Sequence, residues 1–227
     1  MTEPAVVATL HFVVGCAAVV MGFAALIWPK GRGTHRATGA IYLVAMTMLT
    51  ASGLWMSLSR GILFTVFLSA MAFHVFLSGW GAAAFRTRAG RAITAGSPYL
   101  SAAIAVGALA GAVAATSAPG GVINDLPPAA FLVITAVAGL ACAGDIGFSR
   151  TGLPGERQRI TRHGWRMGFS LFLATGIFFF GNNHVLPDAL RQPMILSAPV
   201  LAVAVLTLFF SVRSRLFGAR RHSDVSR

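Results

Sequence analysis

Histidines carry most of the chemistry that this sequence could perform. Five of them lie inside or beside long apolar stretches: His11, His35, His74, His163 and His184. Imidazole nitrogens are common ligands for metal ions and for haem iron. If successive stretches run in alternating directions, His11 and His184 meet at one face of a bundle and His35 and His163 at the other. The spacing therefore predicts two layers of paired histidines.

Two such layers could hold two b-type haems, each ligated by imidazoles from facing helices. His163 and His184 would lie about 31 Å apart on one helix at about 1.5 Å per residue, so a single metal cannot use both. Haem b is therefore one hypothesis for the cofactor, whose identity the sequence leaves open. The candidate metal or haem ligands are His11, His184, His35, His163 and His74.

Basic residues accompany two of these histidines where apolar stretches end. Such a set of cations could hold an anionic headgroup, for example a phospholipid phosphate or cardiolipin. The alternative is that these side chains tie short loops to helix ends. The candidate anion-binding or lipid-headgroup residues are His35, Arg36, Arg162, His163 and Arg166.

Asp145 is the one carboxylate within an apolar stretch. Ionisable groups at membrane depth are costly and are therefore informative. Its expected partner is Arg166, which begins the next stretch from the same side, so the sequence predicts a structural ion pair between adjacent helices, with a functional carboxylate as the alternative. No acidic residue falls at the middle of a stretch, which disfavours a proton-coupled transporter.

Motifs of the common enzyme classes are absent. The chain has no HxxxH or HExxH pair for a zinc hydrolase, and no G-x-S-x-G elbow, P-loop or dinucleotide fingerprint in a suitable context. Cys16 and Cys142 lie inside apolar stretches without a CxxC partner, which predicts packing rather than a disulfide or zinc site. No catalytic residue is assigned, and a non-enzymatic protein is favoured.

The composition indicates which elements must position these residues. The chain is 56% hydrophobic and 11% charged, whereas soluble domains have about 45–50% apolar and about 25% charged residues. A helix needs about 20 residues to cross the bilayer core. Seven stretches qualify, at residues 5–28, 37–58, 61–85, 99–118, 128–147, 165–185 and 194–212.

The predicted fold class is therefore all-α, a polytopic transmembrane bundle of seven spans in one domain, residues 1–212. A basic cytoplasmic tail, residues 213–227, follows it. In the fourth stretch Gly107 and Gly111 form a GxxxG pattern among many alanines. Such a helix can approach its neighbours closely, which places it inside the bundle or against a partner subunit.

The distribution of Lys and Arg predicts the orientation. All 18 basic residues except Arg60 and Arg191 fall in the first, third and fifth connections or the tail. Cytoplasmic loops carry an excess of Lys and Arg, so the pattern predicts a bacterial inner-membrane protein with a periplasmic N-terminus and a cytoplasmic C-terminus. Because the net charge of +12 collects at these ends, it indicates membrane topology rather than nucleic-acid binding.

Four ordered strings resemble a domain-of-unknown-function family of predicted bacterial seven-helix inner-membrane proteins. They are Leu10-His11 with Gly15 and Gly22, His35-Arg36-x-x-Gly39-x-x-Tyr42, Arg162-His163-x-Trp165-Arg166-Met167, and Phe178-Phe179-Phe180-Gly181 with Pro187. The resemblance implies the seven-helix fold and makes the histidines and arginines of these strings signature positions. It implies no activity. Where the family has a glutamine after the Phe-Gly string, this chain has Asn182-Asn183-His184, which weakens an outer His11–His184 haem pair.

Two functions follow from the sequence. The first is a non-enzymatic membrane protein that acts as a scaffold or accessory subunit or binds a lipid-like small molecule; its partners would be membrane lipids, other membrane subunits or a second copy of itself. The alternative is a redox protein that holds haem b.

Overall fold

The computed structural model describes residues 5–181 and 183–217, and within these ranges it is all-α, as predicted. Seven α-helices run through the described residues: α1 (Ala5–Ile27), α2 (Gly33–Arg60), α3 (Leu63–Ala83), α4 (Arg88–Ser117), α5 (Pro128–Arg150), α6 (Glu156–Gly176) and α7 (Pro193–Phe217). A π-helical turn, Ile177–Gly181, extends α6, and short 3₁₀ turns connect it to α7.

The predicted spans match these helices in order, with differences at the polar ends. The fourth helix begins at Arg88 rather than at residue 99, and the sixth at Glu156 rather than at residue 165. The prediction counted only apolar residues, whereas both helices begin with polar and basic turns. The seventh helix continues past residue 212 to Phe217. Of the predicted tail, residues 218–227 lie outside the described residues.

Six of the helices in the described part of the chain, α1 to α5 and α7, are long and apolar enough to cross a membrane. The sixth helix carries Arg157, Arg159, Arg162 and Arg166 in its first half, and this charge sets it apart. Many large apolar side chains point outwards, among them Val6 at 75% and Leu140 at 76% exposure. An exposed apolar surface of this extent fits a lipid environment.

The arginine-rich connections lie together at one end of the bundle, which we call the basic end. There the His35 ring at the start of α2 contacts the end of α1 and the His163 ring of α6. Phe85, just beyond α3, packs against Phe148 near the end of α5. At the opposite end Phe12 of α1 stacks on Phe178, in the π-helical turn after α6.

The third and sixth helices form the centre of the bundle. They pack against each other, α1 and α2 pair on one side, and α4 and α5 pair on the other, while α7 lies against α6. One apolar core joins α1, α2, α3, α6 and α7 around Tyr42, Met46 and Phe76. A second core joins α3, α4 and α5 around Val75, Ile104 and Ile134. Both cores therefore converge on α3.

The small residues of α4 serve packing within the chain. A Cβ atom added at Gly107 would come within 2.7 Å of the Phe67 ring, and one at Gly111 within 2.9 Å of the Phe131 ring. Both glycines thus admit aromatic side chains from the neighbouring helices α3 and α5. The fourth helix thus packs against α3 and α5, while its opposite face, with Val106 67% and Val113 61% exposed, leaves the predicted contact with a partner subunit a prediction.

Candidate functional site: a charged cluster and two flanking features

The polar centre of the molecule is a charged cluster contributed by four consecutive helices. It consists of Asp145 from α5, Arg162 and Arg166 from α6, His74 from α3 and Ser101 from α4. Asp145 and Ser101 are 0% exposed, His74 is 1% exposed and Arg166 is 5% exposed. Such burial is rare for ionisable groups unless they are paired.

Asp145 is the hub of this cluster. Its Oδ1 accepts a hydrogen bond from Arg166 Nη2 at 2.6 Å and another from Arg162. Its Oδ2 lies 3.1 Å from His74 Nε2 and accepts from Ser101 Oγ at 2.9 Å. Both carboxylate oxygens are therefore fully used by side chains of other helices.

The two guanidinium groups are held by further contacts. Arg166 Nη2 also donates to the carbonyl oxygen of Ala141 at 3.1 Å. Arg162 Nη1 donates to the carbonyl oxygen of Gly144 at 3.1 Å, and its guanidinium lies 4.5 Å from the centre of the Phe148 ring. The cluster thus fastens α6 to α5 along more than one turn and offsets the cost of placing two arginine side chains inside the bundle.

The cluster reaches further into the bundle than the position of Asp145 along α5 indicates. Asp145 lies near the end of its helix, yet its partner His74 lies near the middle of α3, and Ser101 near the middle of α4. Asp145 itself lies near the end of α5, as the sequence indicates, and it is the side chains bound to it that extend the cluster into the bundle.

Close helix packing makes these contacts reachable. A Cβ atom added at Gly79 of α3 would come within 2.8 Å of Arg166 Cβ. The absence of a side chain at Gly79 lets α6 approach α3, so that Arg166 Nη1 reaches His74 Nε2 at 3.2 Å. The sequence pairs Asp145 with Arg166, but it gives no partner for His74 and no role for Ser101. The one indication in the sequence was that His74 lies in the middle of an apolar helix, where a polar side chain needs a partner.

The first flanking feature is the histidine pair at the basic end, His35 and His163. Their ring centroids are 6.4 Å apart and their planes are nearly perpendicular at 88°. His35 Nδ1 bonds to the carbonyl oxygen of Ala25 at 3.0 Å and His163 Nδ1 to that of Gly79 at 3.1 Å. A carbonyl accepts only, so each Nδ1 carries a proton, and in the neutral ring Nε2 then keeps its lone pair.

The predicted anion-binding set is therefore divided in the structure. His35 and His163 form the pair, whereas Arg162 and Arg166 turn towards Asp145. Arg36 is exposed. Lys30 joins the pair's surroundings: its ammonium donates to the carbonyl oxygen of Ala25 at 3.0 Å and lies 4.5 Å from the centre of the Phe210 ring. Burial lowers the pKa of Lys30 below its usual range.

The second flanking feature is a cavity of about 250 Å³ that we call the His11 cavity. It lies between α1, α2, α3 and α6, towards the end opposite the basic end. His11 lines it, and its Nδ1 lies 2.9 Å from Ser52 Oγ. The wall is mostly apolar, with several hydroxyls and one arginine. Its remaining lining residues include Phe12, Met46, Leu49, Thr50, Ser57, Arg60, Thr65, Ser69, Ala72 and Phe178.

The predicted outer layer does not share this cavity. His184 lies exposed on the connection between α6 and α7, where its carbonyl oxygen accepts from Arg191 Nη2 at 2.8 Å, and it is not part of the cavity wall. Within residues 5–181 and 183–217, no group of three or more His, Cys, Asp or Glu side chains is arranged to hold a metal ion.

Comparisons with protein-family models, with curated proteins and with solved structures find no match to this chain. The resemblance carried by the four strings therefore stays a prediction, and the functional inference depends on the geometry described above.

Proposed function

We propose that this protein is a seven-span inner-membrane protein that binds a lipid-like small molecule in the His11 cavity, without catalysing a reaction. The observation that carries the proposal is the cavity itself. It combines an apolar wall with a few hydroxyls, one imidazole and one guanidinium. Sites for small molecules are mostly apolar concavities with a small number of polar groups that fix orientation.

The charged cluster supports the proposal that α6 also crosses the membrane, which brings the number of spans to seven. Arg162 and Arg166 are the two arginines furthest along α6 from its first turn, and both are bound to Asp145 inside the bundle. Charged side chains are tolerated at membrane depth when they face the interior and are paired. With α6 crossing, the positive-inside rule puts the basic end in the cytoplasm and the N-terminus in the periplasm.

The size of the cavity restricts the ligand. At about 250 Å³ it lies just below the range of about 300–1,000 Å³ that is usual for small-molecule pockets. It suits the head or the first part of the chain of an amphiphile rather than a whole phospholipid. Arg60, in the wall near the end of α2, would face an oxygen-bearing or anionic group of that molecule.

The proposal is tested with a substitution that fills the cavity and a matched substitution on the outer surface of the bundle, by comparing how much ligand each variant retains. Thr65 lines the cavity, whereas Thr47 is exposed on α2. Each hydroxyl donates to a nearby backbone carbonyl, that of Ile62 for Thr65 and that of Leu43 for Thr47. We expect native mass spectrometry of the protein in mild detergent to show a retained amphiphile. Thr65→Phe lowers its occupancy about tenfold, which corresponds to about 1.4 kcal/mol, while Thr47→Phe leaves it unchanged.

Two results would reject this proposal. One is a wild-type protein that carries no amphiphile and takes none from an added membrane-lipid extract. The other is an equal loss of bound amphiphile in the Thr65→Phe and Thr47→Phe variants, since that would place the binding outside the cavity. In either case the scaffold or accessory-subunit function becomes the better hypothesis.

A second candidate function, haem b binding, is favoured by the pair at the basic end. An imidazole on each side of one metal, at about 2 Å per metal–nitrogen bond, puts the ring centres about 6 Å apart, and those of His35 and His163 are 6.4 Å apart. Their Nδ1 contacts to backbone carbonyls leave both Nε2 atoms for ligation, as in many ligating histidines. One observation opposes this function. Neither His35 nor His163 lines the His11 cavity, so that cavity cannot supply the space that a haem bound to this pair would need.

Visible spectroscopy separates the two candidates. A protein expressed with ample haem and purified should show a Soret band that shifts on reduction with dithionite if the pair ligates haem. His163→Ala should then abolish the band, and His184→Ala, at an exposed position, should keep it. A protein without a Soret band under these conditions eliminates the haem function and leaves the cavity proposal untouched.

A further inference from the structure

His74 lies between two groups that make opposite demands on the same nitrogen atom. Its Nε2 is 3.2 Å from Arg166 Nη1, a donor, and 3.1 Å from Asp145 Oδ2, an acceptor when it is ionised. An imidazole nitrogen carries either a proton or a lone pair. It can therefore donate to Asp145 or accept from Arg166, but it cannot do both at once.

Both arrangements keep Asp145 hydrogen-bonded. With a proton on Nε2, the histidine donates to Oδ2. Without it, Oδ2 still accepts from Ser101 Oγ, and Oδ1 still accepts from Arg162 and Arg166. A change of proton position at His74 therefore leaves the carboxylate with partners on at least two helices, α4 and α6, so neither state strands a buried charge.

Among the residues that the structure describes, the charged groups around His74 come from two helices, α5 and α6. Asp145 on α5 is negative, and Arg162 and Arg166 on α6 are positive. The fourth helix contributes Ser97 and Ser101, which do not ionise. The second helix packs on this part of α3 through Ala45, Met46 and Tyr42, and the Tyr42 hydroxyl is paired with Ser170 Oγ at 2.7 Å. The cluster thus carries one surplus positive charge when His74 is neutral.

A line of hydroxyls leads from the cluster towards the basic end. Ser101, Ser97 and Thr94 lie on one buried face of α4, each at most 4% exposed, and they cover about 10 Å at about 1.5 Å per residue. Ser97 and Ser78 line a cavity of about 190 Å³ together with His74. The Thr94 hydroxyl is buried with no partner among the described residues, and the Thr94 carbonyl accepts from Ser149 Oγ at 3.3 Å.

We propose that His74 and Asp145 form a buried proton-binding site, and that protons reach it from the basic end along Thr94, Ser97 and Ser101. The cavity is large enough for water, and His74, Ser78 and Ser97 supply polar groups to its otherwise apolar wall. Hydroxyls and water together can relay a proton. This site is separate from the His11 cavity and does not depend on a ligand there.

The test observes the imidazole nitrogens directly. Protein labelled with ¹⁵N-histidine is reconstituted in lipid nanodiscs and titrated by NMR, with His74→Gln to assign the signal. We expect the His74 nitrogen to pass between its protonated and bare forms within the pH range in which the protein stays folded. Exposed His184 serves as the internal control for the pH change. A His74 signal that keeps one form while His184 titrates overturns the proposal.

The route is tested by the rate of proton uptake after a pH jump. Ser97→Ala should slow the response of His74 several-fold and leave its titration midpoint in place, because the hydroxyl lies on the path and does not touch Asp145. Ser69→Ala, a change of the same kind on α3 beside the His11 cavity, should not alter the rate. Equal rates in wild type and both variants would overturn the assigned route.

Discussion

The charged cluster and the His11 cavity both contain polar side chains, but those side chains differ in what they bind. In the cluster, Asp145 is 0% exposed and contacts side chains of three other helices. In the cavity, His11 contacts Ser52 at the rim of an open space of about 250 Å³. The cluster's groups bind one another, whereas the cavity leaves room for another molecule. Stability and ligand binding should therefore respond to different substitutions.

The largest expected effect is that of Asp145→Asn. It leaves Arg162 and Arg166 buried without their counter-ion, and breaking a buried ion pair from one side typically costs about 3–5 kcal/mol. Thermal unfolding in detergent should show a large drop in Tm. Asp188→Asn removes a carboxylate of the same kind that is 90% exposed and pairs with Arg191, and it should leave Tm within error. Similar Tm values for both variants would contradict the assignment of Asp145 as the hub.

A double-mutant cycle then separates direct contact from general disruption. Arg166→Gln should destabilise the protein by itself, but its effect should shrink in the Asp145→Asn background, with a coupling energy of about 1–3 kcal/mol. The reason is that Arg166 Nη2 and Asp145 Oδ1 lie 2.6 Å apart, so each single change already removes the same contact. Additive losses would indicate that the two residues stabilise the bundle independently.

The next largest effect on stability is expected from a substitution that changes the spacing between α3 and α6. Gly79→Ala places a Cβ atom 2.8 Å from Arg166 Cβ, and overpacking of this kind typically costs about 1–3 kcal/mol. The added methyl group should push α6 away from α3 and weaken the contact between Arg166 and His74. Gly164→Ala on α6, where nothing lies within 4 Å, is the matched control and should be neutral or slightly stabilising. If Gly79→Ala were equally neutral, the close approach of these helices would not matter to the cluster.

The positions of the helices could be predicted from the sequence because each helix is marked by the composition of its own segment. Long apolar stretches predict their own helices, and the fourth and sixth differ mainly at ends where polar turns remain helical. The pairing of Asp145 with Arg166 could also be predicted, since both residues lie near the same end of adjacent apolar stretches. A single charge of each sign inside an apolar region leaves few alternative partners.

The rest of the site depends on how non-adjacent helices rotate and approach. His74 joins the cluster because α3 lies centrally and Gly79 lets α6 come close. No local sequence pattern predicts either of these features. Ser101 resembles any other small residue of α4 until Asp145 is seen beside it. His11 and His184 were expected to pair because they share an end of the bundle. Depth alone does not fix which way a side chain points.

The smallest effect on stability should be that of His11→Gln. The net contribution of one hydrogen bond is about 0.5–1.5 kcal/mol, and the amide of glutamine can still bond to Ser52, so unfolding in detergent should change by less than about 1 kcal/mol. Retention of the amphiphile should fall all the same, because the imidazole is part of the cavity wall. A loss of stability as large as that of Asp145→Asn would instead show that His11 belongs to the framework of the bundle. The substitution thus separates a side chain that faces a ligand from one that holds helices together.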